Sequence, residues 1–241
     1  MGPVFPLGRR SFDTYIPSLY YRKAANRFNN FSTKNMYQDS CCGGGSCSSN
    51  TQPVIGQPIA DFEVDIYHQE AFRKAHLADF KGKWVIFFFY PADFTFICPT
   101  ELEEMAAHYK EFQKLNAEVL SVSTDTKFTH KAWHDHSTAI KKISFPMVAD
   151  PSGDLTRSFG VMIEDGEDRG LARRGSFIVD PDGILQAYEV HANNVGRSAS
   201  ELLRKLEAAV FVREHGGEVC PANWKPGAKT LKPGIDLVGK I

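Results

Sequence analysis

The alternation of apolar and polar positions becomes regular only after about residue 52. From Trp84 to Tyr90 the chain reads Trp-Val-Ile-Phe-Phe-Phe-Tyr without a polar break. So short and aromatic a run predicts a strand buried on both faces of a sheet. Lys81-Gly82-Lys83 and Pro91 mark its ends. Between Glu101 and Leu115, the residues Leu102, Met105, Ala106, Tyr109, Phe112 and Leu115 recur at three- and four-residue spacing, which predicts an amphipathic helix. A strand is expected over Glu118 to Ser123, a helix over Lys127 to Ser137 and a strand over Ser144 to Ala149. Asp182-Gly183 then separates two β-rich runs, Arg174 to Asp180 and Ile184 to Val190, a strong hairpin signal. A final helix over Ser200 to Arg213 gathers Leu202, Leu203, Leu206, Ala209 and Val210 on one face. The order βαβαβ followed by ββα predicts an α/β protein, a mixed central sheet with helices on both faces.

Composition agrees with a globular chain. Of 241 residues, 42% are hydrophobic and 24% charged, enough apolar material for a core without disulfide staples. The formal net charge of −1 offers no basic field for nucleic acid. No apolar run is long enough to span a bilayer. The charge is unevenly placed, however. Residues 1–52 carry six basic and two acidic residues and end in the Gly/Ser-rich run Cys41-Cys42-Gly43-Gly44-Gly45-Ser46-Cys47-Ser48-Ser49. Residues 1–52 are therefore expected to be a basic, flexible extension, and 53–241 the folded domain. The extension lacks the apolar segment of a secretory signal; an organelle presequence or a true start at Met36 are the competing readings.

Five cysteines (Cys41, Cys42, Cys47, Cys98 and Cys220) are too few and too unevenly spaced for a disulfide scaffold. That usage suggests a reducing compartment, the cytoplasm, in which particular thiols do chemistry. The three clustered thiols lack a fourth metal ligand, the nearest histidine being His68. His130 and His134 sit one turn apart on a predicted helix, where a solvated face or an oligomer contact is the expectation rather than a metal site. No metal and no cofactor is expected.

Cys98 follows the buried strand at a strand–loop–helix junction, Pro91-Ala92-Asp93-Phe94-Thr95-Phe96-Ile97-Cys98-Pro99-Thr100-Glu101. Free N–H groups at a helix start favour an anion there. An ordinary thiol is only about 3% ionised at neutral pH, and one exposed dipole is too weak to reverse that, so a nearby cation is expected. A free cysteine is commonly no more than a small buried hydrophobe; Thr95 in the same loop, and Pro91 and Pro99 on its flanks, argue against that reading.

Pro91-x-x-x-Thr95-x-x-Cys98 after an aromatic strand resembles the active-site signature of the peroxiredoxins. The likeness extends through Phe128-Thr129-His130-Lys131-Ala132-Trp133-His134, Gly217 to Lys225 and Asp236 to Ile241, and is nearest to the typical two-cysteine, alkyl hydroperoxide reductase type. It covers residues 53–241. The resemblance implies a thioredoxin-like fold and a thiol peroxidase acting on hydrogen peroxide and organic hydroperoxides. Cys98 would be the peroxidatic cysteine and Cys220 the resolving cysteine. Thr95 would hydrogen-bond the peroxide and the thiolate, and Pro91 would shield the pocket. Arg174 would supply the cation, and Glu101 would orient it; Arg197 resembles a second arginine near the pocket. The implied partners are an external dithiol reductant (thioredoxin or a dedicated flavoprotein disulfide reductase) and a second copy of the chain in a homodimer, with five dimers closing a ring. No nucleic acid or membrane partner is expected. A redox relay or holdase chaperone on the same fold is the alternative; a disulfide oxidoreductase is weakened by the lack of any Cys-x-x-Cys pair.

Members sensitive to overoxidation carry a Gly-Gly-Leu-Gly insertion and a C-terminal Tyr-Phe helix. The corresponding loop here reads Glu164-Asp165-Gly166-Glu167-Asp168-Arg169-Gly170-Leu171, and no Tyr-Phe pair follows before Ile241. Resistance to overoxidation is the expectation.

Overall fold

The computed structural model describes residues 53–240. The expectations for residues 1–52, including Cys41, Cys42 and Cys47, lie outside the described residues. Seven strands form one sheet in the order β2-β1-β5-β4-β3-β6-β7. They are β1 (Glu63–His68), β2 (Ala71–His76), β3 (Trp84–Phe89), β4 (Ala117–Ser123), β5 (Met147–Ala149), β6 (Arg174–Val179) and β7 (Leu185–His191). Four α-helices accompany them: α1 (Cys98–Lys114), α2 (Lys127–His136), α3 (Asp154–Ser158) and α4 (Ala199–Glu214). β3, β4 and β5 run parallel, and the other pairings are antiparallel, so the sheet is mixed as expected.

β3 lies inside the sheet, paired with β4 on one side and β6 on the other. All six of its residues are buried, because both faces are covered. Trp84, Ile86 and Phe88 join Leu102, Met105, Phe112, Trp133, Leu202 and Leu206 in a core under α1, α2 and α4. Val85, Phe87 and Phe89 point the other way, into a second core with Leu155, Phe159, Val161 and Phe177. That alternation across one strand is what places helices on both faces.

The β6–β7 hairpin closes as the Asp-Gly signal foretells. Gly183 donates to the Asp180 carbonyl at 2.9 Å and takes φ +84°, a left-handed turn that glycine adopts without strain. β5 is shorter than the predicted Ser144–Ala149, beginning only after Pro146, which has no N–H for the ladder. Sequence patterning does not foresee three elements: β1, β2 and the short α3. Among the described residues no helix is long and apolar enough to cross a membrane.

Candidate active site

Cys98 is the first residue of α1, and its helical spacing to Leu102, Met105, Tyr109 and Phe112 points its side chain into the core. It is wholly buried. No side chain caps the start of α1, and Pro99 sits in its first turn, where the missing N–H costs nothing. β6 brings the cation. Arg174 opens that strand, two residues from Ser176, which pairs with Phe88 of β3. Its Nη1 lies 3.5 Å from Cys98 Sγ and donates to Glu101 Oε2 at 2.6 Å, while Nε donates to the Asn193 carbonyl at 2.9 Å.

Glu101, one turn into α1, joins Arg174 to a second guanidinium. Arg197 donates from its backbone N–H and from Nε to Glu101 Oε1, at 2.8 and 3.0 Å, and from Nη2 to Oε2 at 3.1 Å. Its Nη1 is satisfied by the Gly175 carbonyl and Ser176 Oγ, and its guanidinium lies over the Phe88 ring at 3.5 Å. Burial works against the Glu101 carboxylate, but the hydrogen bonds and charge of Arg197, and then the charge of Arg174, outweigh it and hold the carboxyl below its ordinary range. Burial pulls Arg197 down from the usual guanidinium value, opposed by Glu101. With Cys98 as a thiol the buried cluster sums to one positive charge; a thiolate at Sγ brings it to zero.

The structure thus brings Cys98, Glu101, Arg174 and Arg197 together. Pro91 is buried two residues beyond the end of β3. Thr95 is in the same loop, but its hydroxyl donates to the Ala92 carbonyl at 2.8 Å and not to the thiol, leaving its oxygen lone pairs as acceptors. Arg173 is exposed, unlike its neighbour.

Cys220 is elsewhere. It lines a cavity of about 520 Å³ with Trp84, Gln186, Val212 and Arg213, and burial pushes its thiol pKa up. Trp84 starts β3, whereas Cys98 follows its end, so the two thiols stand at opposite ends of a six-residue strand, about 20 Å long. A disulfide needs Cα atoms within about 7 Å.

One expectation is overturned. His130 is not on a solvated face: it has no exposure, its Nδ1 meets Asp93 Oδ2 at 2.8 Å and its Nε2 meets the Val148 carbonyl at 3.1 Å. Both ring nitrogens are engaged, which also removes it from any metal pair with His134. Asp93 itself is buried and takes the Tyr90 hydroxyl at 2.7 Å. Sequence reading did not foresee this network or the Asn193 carbonyl that steadies Arg174. The aromatic loop gave no sign that a helix 37 residues away supplies the partner.

A model of the AhpC/TSA family matches residues 55–188. The chain belongs to that family. A model described as the C-terminal domain of 1-Cys peroxiredoxin matches residues 211–236, the stretch around Cys220. Alkyl hydroperoxide reductase C of Staphylococcus aureus is 56% identical over 190 residues, covering 78% of this chain and 99% of the relative. The crystal structure of Enterococcus faecalis AhpC superposes with a TM-score of 0.67 at 52% identity, covering 70% of this chain and 100% of that one. Reduced Plasmodium vivax 2-Cys peroxiredoxin gives 0.71 at 31% identity, covering 76% and 94%. The AhpC/TSA chain described here is therefore a peroxiredoxin enzyme with the expected thioredoxin-like fold.

Proposed function

We propose that the chain reduces hydrogen peroxide and organic hydroperoxides with Cys98 as nucleophile. The observation that carries this reading is Arg174 Nη1, which faces Sγ while Glu101 fixes its direction. The thiolate attacks the terminal peroxide oxygen, the O–O bond breaks, and the departing alkoxide or hydroxide takes a proton to leave as alcohol or water. Arg174 stabilises charge moving from sulfur toward the leaving oxygen, and Thr95 accepts the peroxide O–H. Pro91 closes the loop against water. Cys98, now a sulfenic acid, condenses with the Cys220 thiol; an S–S bond forms and water leaves. An external dithiol then restores both thiols by exchange.

Because Cys220 packs at the far end of β3 from Cys98, the resolving thiol is proposed to come from a second copy of the chain, making a homodimer the working unit. A ring of five such dimers follows from family resemblance. The reaction is placed in the cytoplasm, where a reducing pool regenerates the thiols. A chaperone or relay would not need Cys98, Glu101 and Arg174 buried together, which favours the enzyme.

The test is peroxide consumption in the presence of a dithiol. Wild type should turn over, and Cys98→Ser should not, because a serine hydroxyl stays protonated at neutral pH. Turnover by the serine variant would overturn the assignment.

A further inference from the structure

The proposed cycle makes opposite demands on the loop 91–97. Peroxide reduction needs it closed, with Sγ facing Arg174. Disulfide formation needs it open, because Cys98 is wholly buried at the start of α1 and Cys220 packs at the other end of β3. Some contact must hold the loop, and something must favour its release.

Asp93 is where the loop is tied down. Its carboxylate is occupied by Tyr90 and His130, and its backbone N–H donates to Asp125 Oδ2 at 2.8 Å. Asp125 lies just beyond β4 and belongs to neither the thiol cluster nor the loop. It is itself set in place by Ser123, whose hydroxyl donates to the same Oδ2 at 2.8 Å and whose oxygen accepts the Asp125 N–H at 3.2 Å. The very next loop residue, Phe94, takes φ +55°. That left-handed conformation is strained for an aromatic residue carrying a Cβ. Phe94 is 57% exposed in the single protomer, so burial within the chain does little to offset the strain, although its ring approaches Trp133 with centroids 5.9 Å apart.

We propose that Asp125 is a positioning residue for the peroxidase reaction: it catches the Asp93 N–H and holds closed a loop that backbone strain at Phe94 biases toward opening. The catch sets the balance between the two half-reactions. Held, the loop presents Cys98 to peroxide; released, it lets the sulfenic acid reach Cys220 before a second peroxide adds another oxygen to give the sulfinic acid and water or alcohol. This inference rests on the peroxidase reading above.

The test is single-turnover kinetics of the full chain, following peroxide reduction and disulfide formation separately, with intact mass to read the sulfinic product. Asp125→Ala should slow peroxide reduction by about tenfold, the size of one charge-assisted hydrogen bond. It should also quicken disulfide formation and lower the sulfinic fraction at a given peroxide dose. Asp125→Asn keeps an acceptor oxygen and should restore most of both rates. It also covers the case in which the alanine variant does not fold. At Phe94, alanine and glycine both lack the ring and differ in whether a Cβ sits at positive φ. Phe94→Gly should therefore form the disulfide more slowly than Phe94→Ala. A loss of both half-reactions together in the Asp125 variants, or no change in either, overturns the role of Asp125. Equal disulfide rates in the two Phe94 variants overturn the strain. Failure of wild type to form the Cys98–Cys220 disulfide at all would instead defeat the underlying reading.

Discussion

Arg174 approaches Cys98 with the same nitrogen, Nη1, that it gives to Glu101, at 3.5 Å and 2.6 Å. One carboxylate thereby decides where the cation stands relative to the sulfur. Arg174→Met should slow peroxide reduction by about 10²–10³-fold, the scale seen when one preorganised donor to a developing charge is removed. Stopped-flow rates measured across pH separate this from ionisation: a deficit that persists in alkali, where every thiol is a thiolate, belongs to the transition state. Glu101→Gln leaves two buried guanidiniums without a counter-charge, and should cost about 3–5 kcal/mol of stability by urea titration. A small stability loss would mean that Arg197 turns away to solvent when its partner goes.

The distance along β3 between the two thiols leads to a second expectation. Cys220→Ser should reduce one equivalent of peroxide and then stop, because the sulfenic acid has no resolving partner. Non-reducing electrophoresis of oxidised wild type should show a covalent dimer that both Cys98→Ser and Cys220→Ser lack. An oxidised wild type that migrates as a monomer with no free Cys220 would indicate a bond within one chain, and with it a far larger rearrangement than the loop alone.

These assignments were unequally legible. β3 was plain because its six buried residues cannot alternate with polar ones. The β1–β2 hairpin was not, since β2 is a mostly exposed edge strand and its turn places Gln69 and Glu70 at φ +50° and +59°, a left-handed pair that usually announces itself with Asn-Gly. Cys98 at a helix start could be read from spacing. That Arg174, rather than Arg173, faces it depends on strand register, to which sequence gave access only through family resemblance. The Asp93–His130 and Asp93–Asp125 bonds join residues 37 and 32 positions apart, and nothing local marks a polar side chain for burial by a distant partner.

His130 makes stability depend on pH. Burial alone would lower its pKa, but the hydrogen bond and charge of Asp93, the Val148 carbonyl and then the charge of Asp125 outweigh it, raising the imidazole above its ordinary 6.5. A raised folded value means that the stabilisation is full below about pH 6.5. It fades as pH climbs through the folded value. Asp93, whose carboxyl is pushed up chiefly by burial, adds the same sign in the acid range: its contribution is lost as pH rises above the ordinary carboxylate value. His130→Asn should therefore flatten the fall in urea midpoint between neutral and mildly alkaline pH. If the variant and wild type fall in parallel there, another group carries the dependence.

The C-terminal segment yields the last prediction. Between Glu207 and Lys240, Trp224 is the only buried residue of the described chain, at 3% exposure. Its ring packs against Phe211 with centroids 4.9 Å apart, its Nε1 donates to the Ala228 carbonyl, and its own carbonyl accepts Arg204 Nη1 at 3.0 Å. The described segment bearing Cys220 thus depends on one buried aromatic anchor. Truncating a buried tryptophan costs about 3–5 kcal/mol when the loss is felt in full, and here most of it falls on docking of the segment rather than on the sheet. Trp224→Ala should leave single-turnover peroxide reduction by Cys98 nearly unchanged while quickening disulfide formation. It should also lower the sulfinic product, read by intact mass, at peroxide doses that overoxidise part of the wild type. If the alanine variant instead gains two oxygens on Cys98 more readily, undocking misplaces Cys220 instead of delivering it, and the anchor serves to present the resolving thiol.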